Sequence, residues 1–202
     1  MQRRIEPHDS LDDYPTPPWA TRALCEFLGD TSELVCREPA ANRGHMVRPL
    51  QEAFKEVHPS DIYDYGAGYP VHDYLFGKRK MDFADWTITN PPFRLAKEFI
   101  LKAQECSEHG VAMIVRTAFL EGIDRYNTLF KYIQPSDILQ FTERVVMHRG
   151  KLTAKGSTAT AYCWLVWRNC YGVDFPRFHW IAPCRKRLEL STDYPNQEET
   201  SQ

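Results

Sequence analysis

Trp86-Thr87-Ile88-Thr89-Asn90-Pro91-Pro92-Phe93 is the stretch on which the fold turns. Its first four residues are β-branched or aromatic, the composition of a strand buried on both faces. Pro91 and Pro92 have no N–H to donate and a fixed φ, so the chain leaves the sheet on a stiff extended path with its carbonyls unpaired. An asparagine at the carboxyl end of a buried strand lies where open α/β sheets bind ligands. The bland reading is a strand ending in a Pro-Pro turn, with Phe93 in the core. With Pro at about 5% of residues, however, this tetrapeptide arises by chance in well under ~1% of chains of this size.

Working outward, Ala96, Phe99, Ile100 and Ala103 recur at helical spacing, and Gly110 is expected to end that helix before an apolar strand at 111–115. Upstream, Tyr14-Pro15-Thr16-Pro17-Pro18 leads into a helical pattern at Ala20, Ala23, Leu24, Phe27 and Leu28. Thr16 is expected as its N-cap, with Pro17 at the first helical position. Strands are expected at 34–38 and 57–62, a short one near Val71, and a helix between them at 44–54. A helix at 124–133, a strand at 138–141 and a pair at 144–147 and 160–167 complete the pattern. Strands separated by helices imply a mostly parallel sheet covered on both faces, and the closing pair, joined by a short loop, should be antiparallel. The expected organisation is a flexible segment at 1–13, one domain at 14–189 and a polar, disordered tail at 190–202.

Apolar residues make up 43% of the 202 and charged residues 26%, which suits one compact domain rather than a disordered chain. No run approaches the roughly 20 apolar residues of a membrane span, and the first residues lack the apolar core of a signal peptide, so no membrane contact and a cytoplasmic location are expected. A formal charge of −2 argues against coating nucleic acid by bulk attraction; any such contact must be local. The basic stretches are Lys78-Arg79-Lys80, 144–155 and Arg185-Lys186-Arg187. The six cysteines form no C-x-x-C pair and read as reduced thiols. His148, His179 and Cys184 lack ligand spacing, so no metal is expected.

Three strand ends carry the chemistry. After the first comes Glu38-Pro39-Ala40-Ala41-Asn42-Arg43-Gly44, whose small residues let backbone approach a ligand and whose acid suits an ammonium group. Alone, this segment reads first as a plain strand-to-helix turn. After the second comes Asp61-Ile62, where a carboxylate suits the two hydroxyls of a ribose. After the third, the Asn90 side-chain oxygen and the Pro91 carbonyl offer two acceptors to one planar –NH₂ group. Such a nitrogen is a poor nucleophile because its lone pair is delocalised, and orientation towards a sulfonium methyl is the main help a protein can supply.

On these motifs the chain resembles the class I methyltransferases, and specifically the amino-methyltransferases typified by bacterial and phage DNA adenine-N6 enzymes of γ-like motif order. The resemblance spans roughly 14–167. It implies a Rossmann-like α/β fold, with a mostly parallel seven-stranded sheet ending in an antiparallel hairpin, and S-adenosyl-L-methionine as cofactor. By the same resemblance Tyr14, Thr16 and Pro17 lie against the methionine part of the cofactor, and the loop of Glu38, Pro39, Ala40 and Gly44 passes beneath it. Asp61 holds the ribose, Ile62 packs on the adenine, and Asp73 accepts from the adenine amino group. Asn90, Pro91, Pro92 and Phe93 match the catalytic tetrapeptide. Arg144, Arg149, Lys151 and Lys155 fall in the region that borders the target base and are expected to meet phosphate. The chain departs from the pattern at Asn42, where a glycine is usual.

The expected acceptor is adenine N6 in DNA, flipped out of its stack onto Phe93, with Phe119 or Tyr126 as a second platform or, more simply, as core. Cytosine N4, an RNA base and a protein glutamine amide share the same planar –NH₂ and stay open, as does an inactive cofactor-binding subunit. About 35 residues follow Trp167, fewer than a recognition region needs, so a homodimer or a separate specificity subunit is the expected protein partner.

Overall fold

The computed structural model describes residues 12–76, 79–169 and 175–194. Most of the expected flexible segment, the last eight residues of the expected tail, Lys78 and Cys170 lie outside them. The order is α1 (Pro18–Leu28), β1 (Val35–Glu38), α2 (Val47–Ala53), β2 (Glu56–Pro59), α3 (Arg79–Asp82), β3 (Ala84–Thr89), α4 (Ala96–Cys106) and β4 (Ser107–Arg116). There follow α5 (Ile123–Arg125), which runs into a π-helical turn at Tyr126–Phe130, then β5 (Asp137–Phe141), β6 (Tyr162–Arg168), β7 (Arg177–Ile181) and α6 (Arg185–Leu188).

The seven strands form one sheet in the order β2-β1-β3-β4-β6-β5-β7. β1 pairs in parallel with β2 and β3, and β3 with β4; β6 runs antiparallel between β4 and β5. Alternation along the central strands divides the core into two layers. Ala112 and Ile114 of β4 and Trp164 and Val166 of β6 face Trp19, Leu24, Val47 and Leu50 of α1 and α2. Val111, Met113 and Val115, with Cys163 and Leu165, face Phe99, Ile100 and Ala103 of α4.

Several expectations change. Helix α4 ends at Cys106, and Gly110 lies inside β4, paired with Trp86. A Cβ there would stand 2.3 Å from the Trp167 carbonyl oxygen and 2.7 Å from the Trp86 ring, so this glycine makes room for an indole. The stretch 144–147 is not a strand: Val145, Val146 and Met147 are buried as a loop, and β6 takes β4 and β5 as its antiparallel partners. The region near Val71 contributes only an isolated bridge to Asp61. The seventh strand is β7, parallel to β5 and held where the buried Asp137 carboxylate accepts from Arg177 and His179. The helix at 124–133 shortens to α5 and its π turn. Within the stretch expected as a tail, Ser191–Asp193 forms a 3-10 turn whose buried Asp193 takes two hydrogen bonds from Arg22. No helix among the described residues is long and apolar enough to cross a membrane.

Candidate active site

Strand order reverses between β1 and β3, since the crossover from β1 leads to one side and that into β4 to the other. A cleft of about 780 Å³ opens at the carboxyl ends of these two strands. Its walls include Tyr14, Thr16, Pro39, Ala40, Asp61, Ile62, Asp73, Asn90 and Pro92.

The β1 loop is shaped by two left-handed residues. Asn42 has φ +50° and Gly44 φ +82°. Asparagine enters this region more readily than any branched residue, so Asn42 supplies the conformation for which a glycine is usual. Its side chain then does what glycine could not, donating to Asp13 at 2.7 Å and accepting from the Arg43 N–H at 2.7 Å. A Cβ on Gly44 would meet the Tyr69 hydroxyl at 2.2 Å. The Asp61 carboxylate is 8% exposed and accepts from the N–H groups of Asn42 and Tyr63 at 2.9 and 3.1 Å. Burial raises its pKa, against the pull of those bonds. Asp73 accepts from the Leu75 N–H at 3.1 Å.

Thr16 is not the N-cap. Helix α1 begins at Pro18 with Pro17 as the cap residue, and no side chain caps it. The Thr16 hydroxyl is therefore left buried and unpartnered among the described residues, on the cleft wall. Glu38 does not reach the wall. It is wholly buried beneath the loop, where one carboxylate oxygen accepts from the Ala40 N–H at 2.9 Å and the Thr89 hydroxyl at 2.5 Å, and the other has no partner among the described residues. Pro17, Gly44 and Pro91 are not among the residues that line the cleft.

At the β3 corner, Asn90 donates from Nδ2 to the Tyr14 carbonyl at 2.8 Å, with the Met147 sulfur 3.9 Å away. A carbonyl only accepts, so this bond fixes which end of the amide is nitrogen. Oδ1 is then a buried acceptor with no partner among the described residues. Phe93 turns from the cleft into a second cavity of about 500 Å³ with Ala96, Val115, Arg116, Ala118, Phe119 and Arg125. Its ring centroid lies 5.3 Å from that of Tyr14, and the Arg116 guanidinium lies 3.9 Å from it. Phe119 borders this cavity; Tyr126 is not on its wall.

Arg144, Arg149, Lys151 and Lys155 are exposed on the β5–β6 loop. That loop reaches the corner through Met147, and its Gly150 N–H donates to the Asp13 carbonyl at 2.8 Å. His179 is engaged with Asp137, and no group of three or more metal-ligating side chains comes together among the described residues. Asp13, Met147 and Arg116 were not among the sequence-predicted site residues; Asp13 carries no local motif, and Met147 and Arg116 approach the corner only through tertiary packing.

Among solved structures, the chain is similar to a protein described as the modification subunit of a type I restriction enzyme from Vibrio vulnificus YJ016, at 15% identity and a TM-score of 0.59 over 93% of this chain and 51% of that one. It is similar to a protein described as an RNA methyltransferase from Pyrococcus horikoshii, at 20% identity and a TM-score of 0.60 over 83% of this chain and 93% of that one. A SAM-dependent O-methyltransferase from Thermotoga maritima matches at 14% identity and a TM-score of 0.52, over 78% and 67% of the two chains. No protein-family model and no curated protein matches the sequence. The chain thus has the Rossmann-like fold of these methyltransferases and spans about half the length of the Vibrio subunit.

Proposed function

We propose that the chain is an S-adenosylmethionine-dependent methyltransferase whose acceptor is an exocyclic amino nitrogen, adenine N6 of DNA. The observation that carries this reading is Asn90: its amide nitrogen is tied to the Tyr14 carbonyl, and its oxygen lies buried beside the cleft with no donor among the described residues. A buried acceptor left unpaired costs free energy, so a site that keeps one is built for a donor that arrives.

The residues present fit the cofactor. The Thr16 hydroxyl, unpartnered among the described residues, the left-handed β1 loop and the buried Asp61 carboxylate come together at one cleft. Tyr14 and Thr16 would hold the methionine part, with Pro17 fixing Thr16; Pro39, Ala40 and Gly44 would give the floor; Glu38 would act through the loop it props. Asp61 would take the ribose hydroxyls, with Ile62 and Asp73 at the adenine. When bound, S-adenosylmethionine supplies an electrophilic methyl group.

The protein's own work is orientation. Asn90 Oδ1 and the Pro91 carbonyl accept the two amino hydrogens, draw the nitrogen towards tetrahedral geometry and localise its lone pair; Pro91 and Pro92 keep these acceptors from drifting. The amino proton becomes acidic only once the nitrogen carries the methyl group, so no side chain has to be deprotonated in advance. Exposed Arg144, Arg149, Lys151 and Lys155 beside the corner suit phosphate contacts, and a base in a duplex must be flipped out to reach it. The Vibrio protein is a modification subunit; by analogy a specificity subunit, or a second copy of this chain, would select the sequence.

S-adenosylmethionine should raise the melting temperature, as any ligand of the native state does. Tritiated cofactor offered with DNA, RNA and protein pools should label N6-methyladenine in DNA. Absence of any melting shift would remove the enzyme reading, and label in RNA or glutamine would move the acceptor. Within the cleft, Asp61→Ala should weaken cofactor binding by roughly 1–3 kcal/mol, the worth of a charge-assisted pair. Calorimetric titration that found unchanged affinity would take Asp61 off the ribose.

A further inference from the structure

The cavity behind the tetrapeptide holds two arginines in different states. The Arg125 guanidinium is tied down by the carbonyls of Ala118, Phe119 and Glu121. Arg116, at the end of β4, has no salt bridge among the described residues, and its Nε is buried without an acceptor. What holds it is aromatic: its guanidinium lies 3.9 Å from the Phe93 ring centroid and 5.8 Å from that of Tyr14. A planar cation at that distance covers one face of Phe93, the ring on which the acceptor is expected to stack.

We infer that Arg116 is a specificity-determining residue: it occupies the acceptor's place on Phe93 in the free protein and leaves it to bind the phosphate of the incoming nucleotide. This rests on the methyltransferase reading and names the substrate class of that site. A cation over an aromatic face and a base stacked on one are of similar strength, so exchanging the two gains little by itself. A neutral acceptor, whether a free nucleoside or a glutamine amide, would have to displace Arg116 and leave it without a partner. A nucleotide within a chain brings its own phosphates, and a guanidinium with five donors meets a phosphate in charge-assisted, bidentate fashion. The Nε and the charge, both without a partner among the described residues, are then answered by the ligand. The plug thus favours acceptors that carry phosphate.

The test is a titration of 2′-deoxyadenosine and of 2′-deoxyadenosine 3′,5′-bisphosphate into the full chain with S-adenosylhomocysteine present, for wild type and Arg116→Met, which keeps the aliphatic stem. Wild type is expected to bind the bisphosphate at least tenfold more tightly than the nucleoside. In R116M the two affinities should come within about twofold, with the nucleoside bound no more weakly than by wild type. A wild-type protein indifferent to phosphate, or a preference that survives in R116M, overturns the inference. So does a loss of S-adenosylhomocysteine affinity in R116M, which would assign the guanidinium to the cofactor. Should R116M melt well below wild type, Arg116→Lys decides: it keeps the charge but not the flat stack, so nucleoside binding should rise while phosphate preference persists, and a nucleoside affinity that does not rise overturns the plug. S-adenosylhomocysteine must also raise the melting temperature of wild type. If it does and phosphate preference is absent, only the inference falls; if it does not, the methyltransferase reading falls with it.

Discussion

Asn90→Ala is expected to lower kcat by roughly 100–1,000-fold, the scale on which one preorganised hydrogen-bonding group aimed at the reacting centre contributes. The reason is geometric. Oδ1 has no partner among the described residues in the free protein, so its hydrogen bond is made only with the acceptor, and it strengthens as the nitrogen turns tetrahedral. Removing it should therefore reduce kcat more than it changes KM for the cofactor. The substitution also deletes the 2.8 Å bond to the Tyr14 carbonyl, worth about 1 kcal/mol of stability, which is too small to unfold a domain. Single-turnover methyl transfer, measured beside the cofactor-induced melting shift, separates the two effects. A variant that keeps the shift and loses turnover fits the role; one that keeps turnover removes Asn90 from the acceptor, and one that loses both points to collapse of the Tyr14 segment.

The corner that predicts this effect was legible because it is local. Two prolines and a preceding β-branched run dictate their own backbone, whatever packs around them, and the structure ends β3 at Thr89. The β1 loop was legible in part: Asn42 stood out as a departure, but its φ of +50° and its bond to Asp13 depend on a segment 29 residues away. Gly110 misled because a glycine after a helical pattern usually ends a helix, and only the indole of Trp86, brought beside it by parallel pairing, shows the true reason for it. Strand β7 was missed because it is an edge strand that buries little: Phe178 and Trp180 are exposed, and Arg177 and His179 bond to Asp137, so no apolar alternation marks it. Thr16 read as a cap because Thr-Pro is a good helix start; a second proline moved the start by one residue and freed the hydroxyl. Arg116 carried no sequence signal, since β4 lies beside β3 in the sheet but the two are separated in sequence by α4.

Glu38→Gln is expected to stabilise the cofactor-free protein at neutral pH and to abolish a pH dependence that wild type should show. Burial, its dominant influence, pushes the Glu38 carboxyl up from 4.5 to about 8, although the bonds from Thr89 and Ala40 favour the charged form. The sign follows from proton counting. Between pH 4.5 and about 8 the unfolded chain has released this proton and the folded chain keeps it, so unfolding is accompanied by proton loss and is favoured as pH rises. The contribution of Glu38 is thus fully present below the unfolded value, falls roughly tenfold in folding constant for each pH unit, and levels off above about pH 8. Glutamine retains an oxygen to accept from Thr89 and Ala40 without titrating. Urea midpoints at pH 5, 6, 7 and 8 should show the gap between E38Q and wild type widening with pH, and parallel profiles would mean that Glu38 ionises in the folded protein as it does in water. The same variant tests how the loop works. With both accepted hydrogen bonds kept, the floor under the cofactor should hold its shape and the affinity of E38Q for S-adenosylmethionine should stay within a few-fold of wild type. A loss beyond about tenfold, more than a neutral hydrogen bond is worth, would place the charged carboxylate itself against the cofactor's ammonium group.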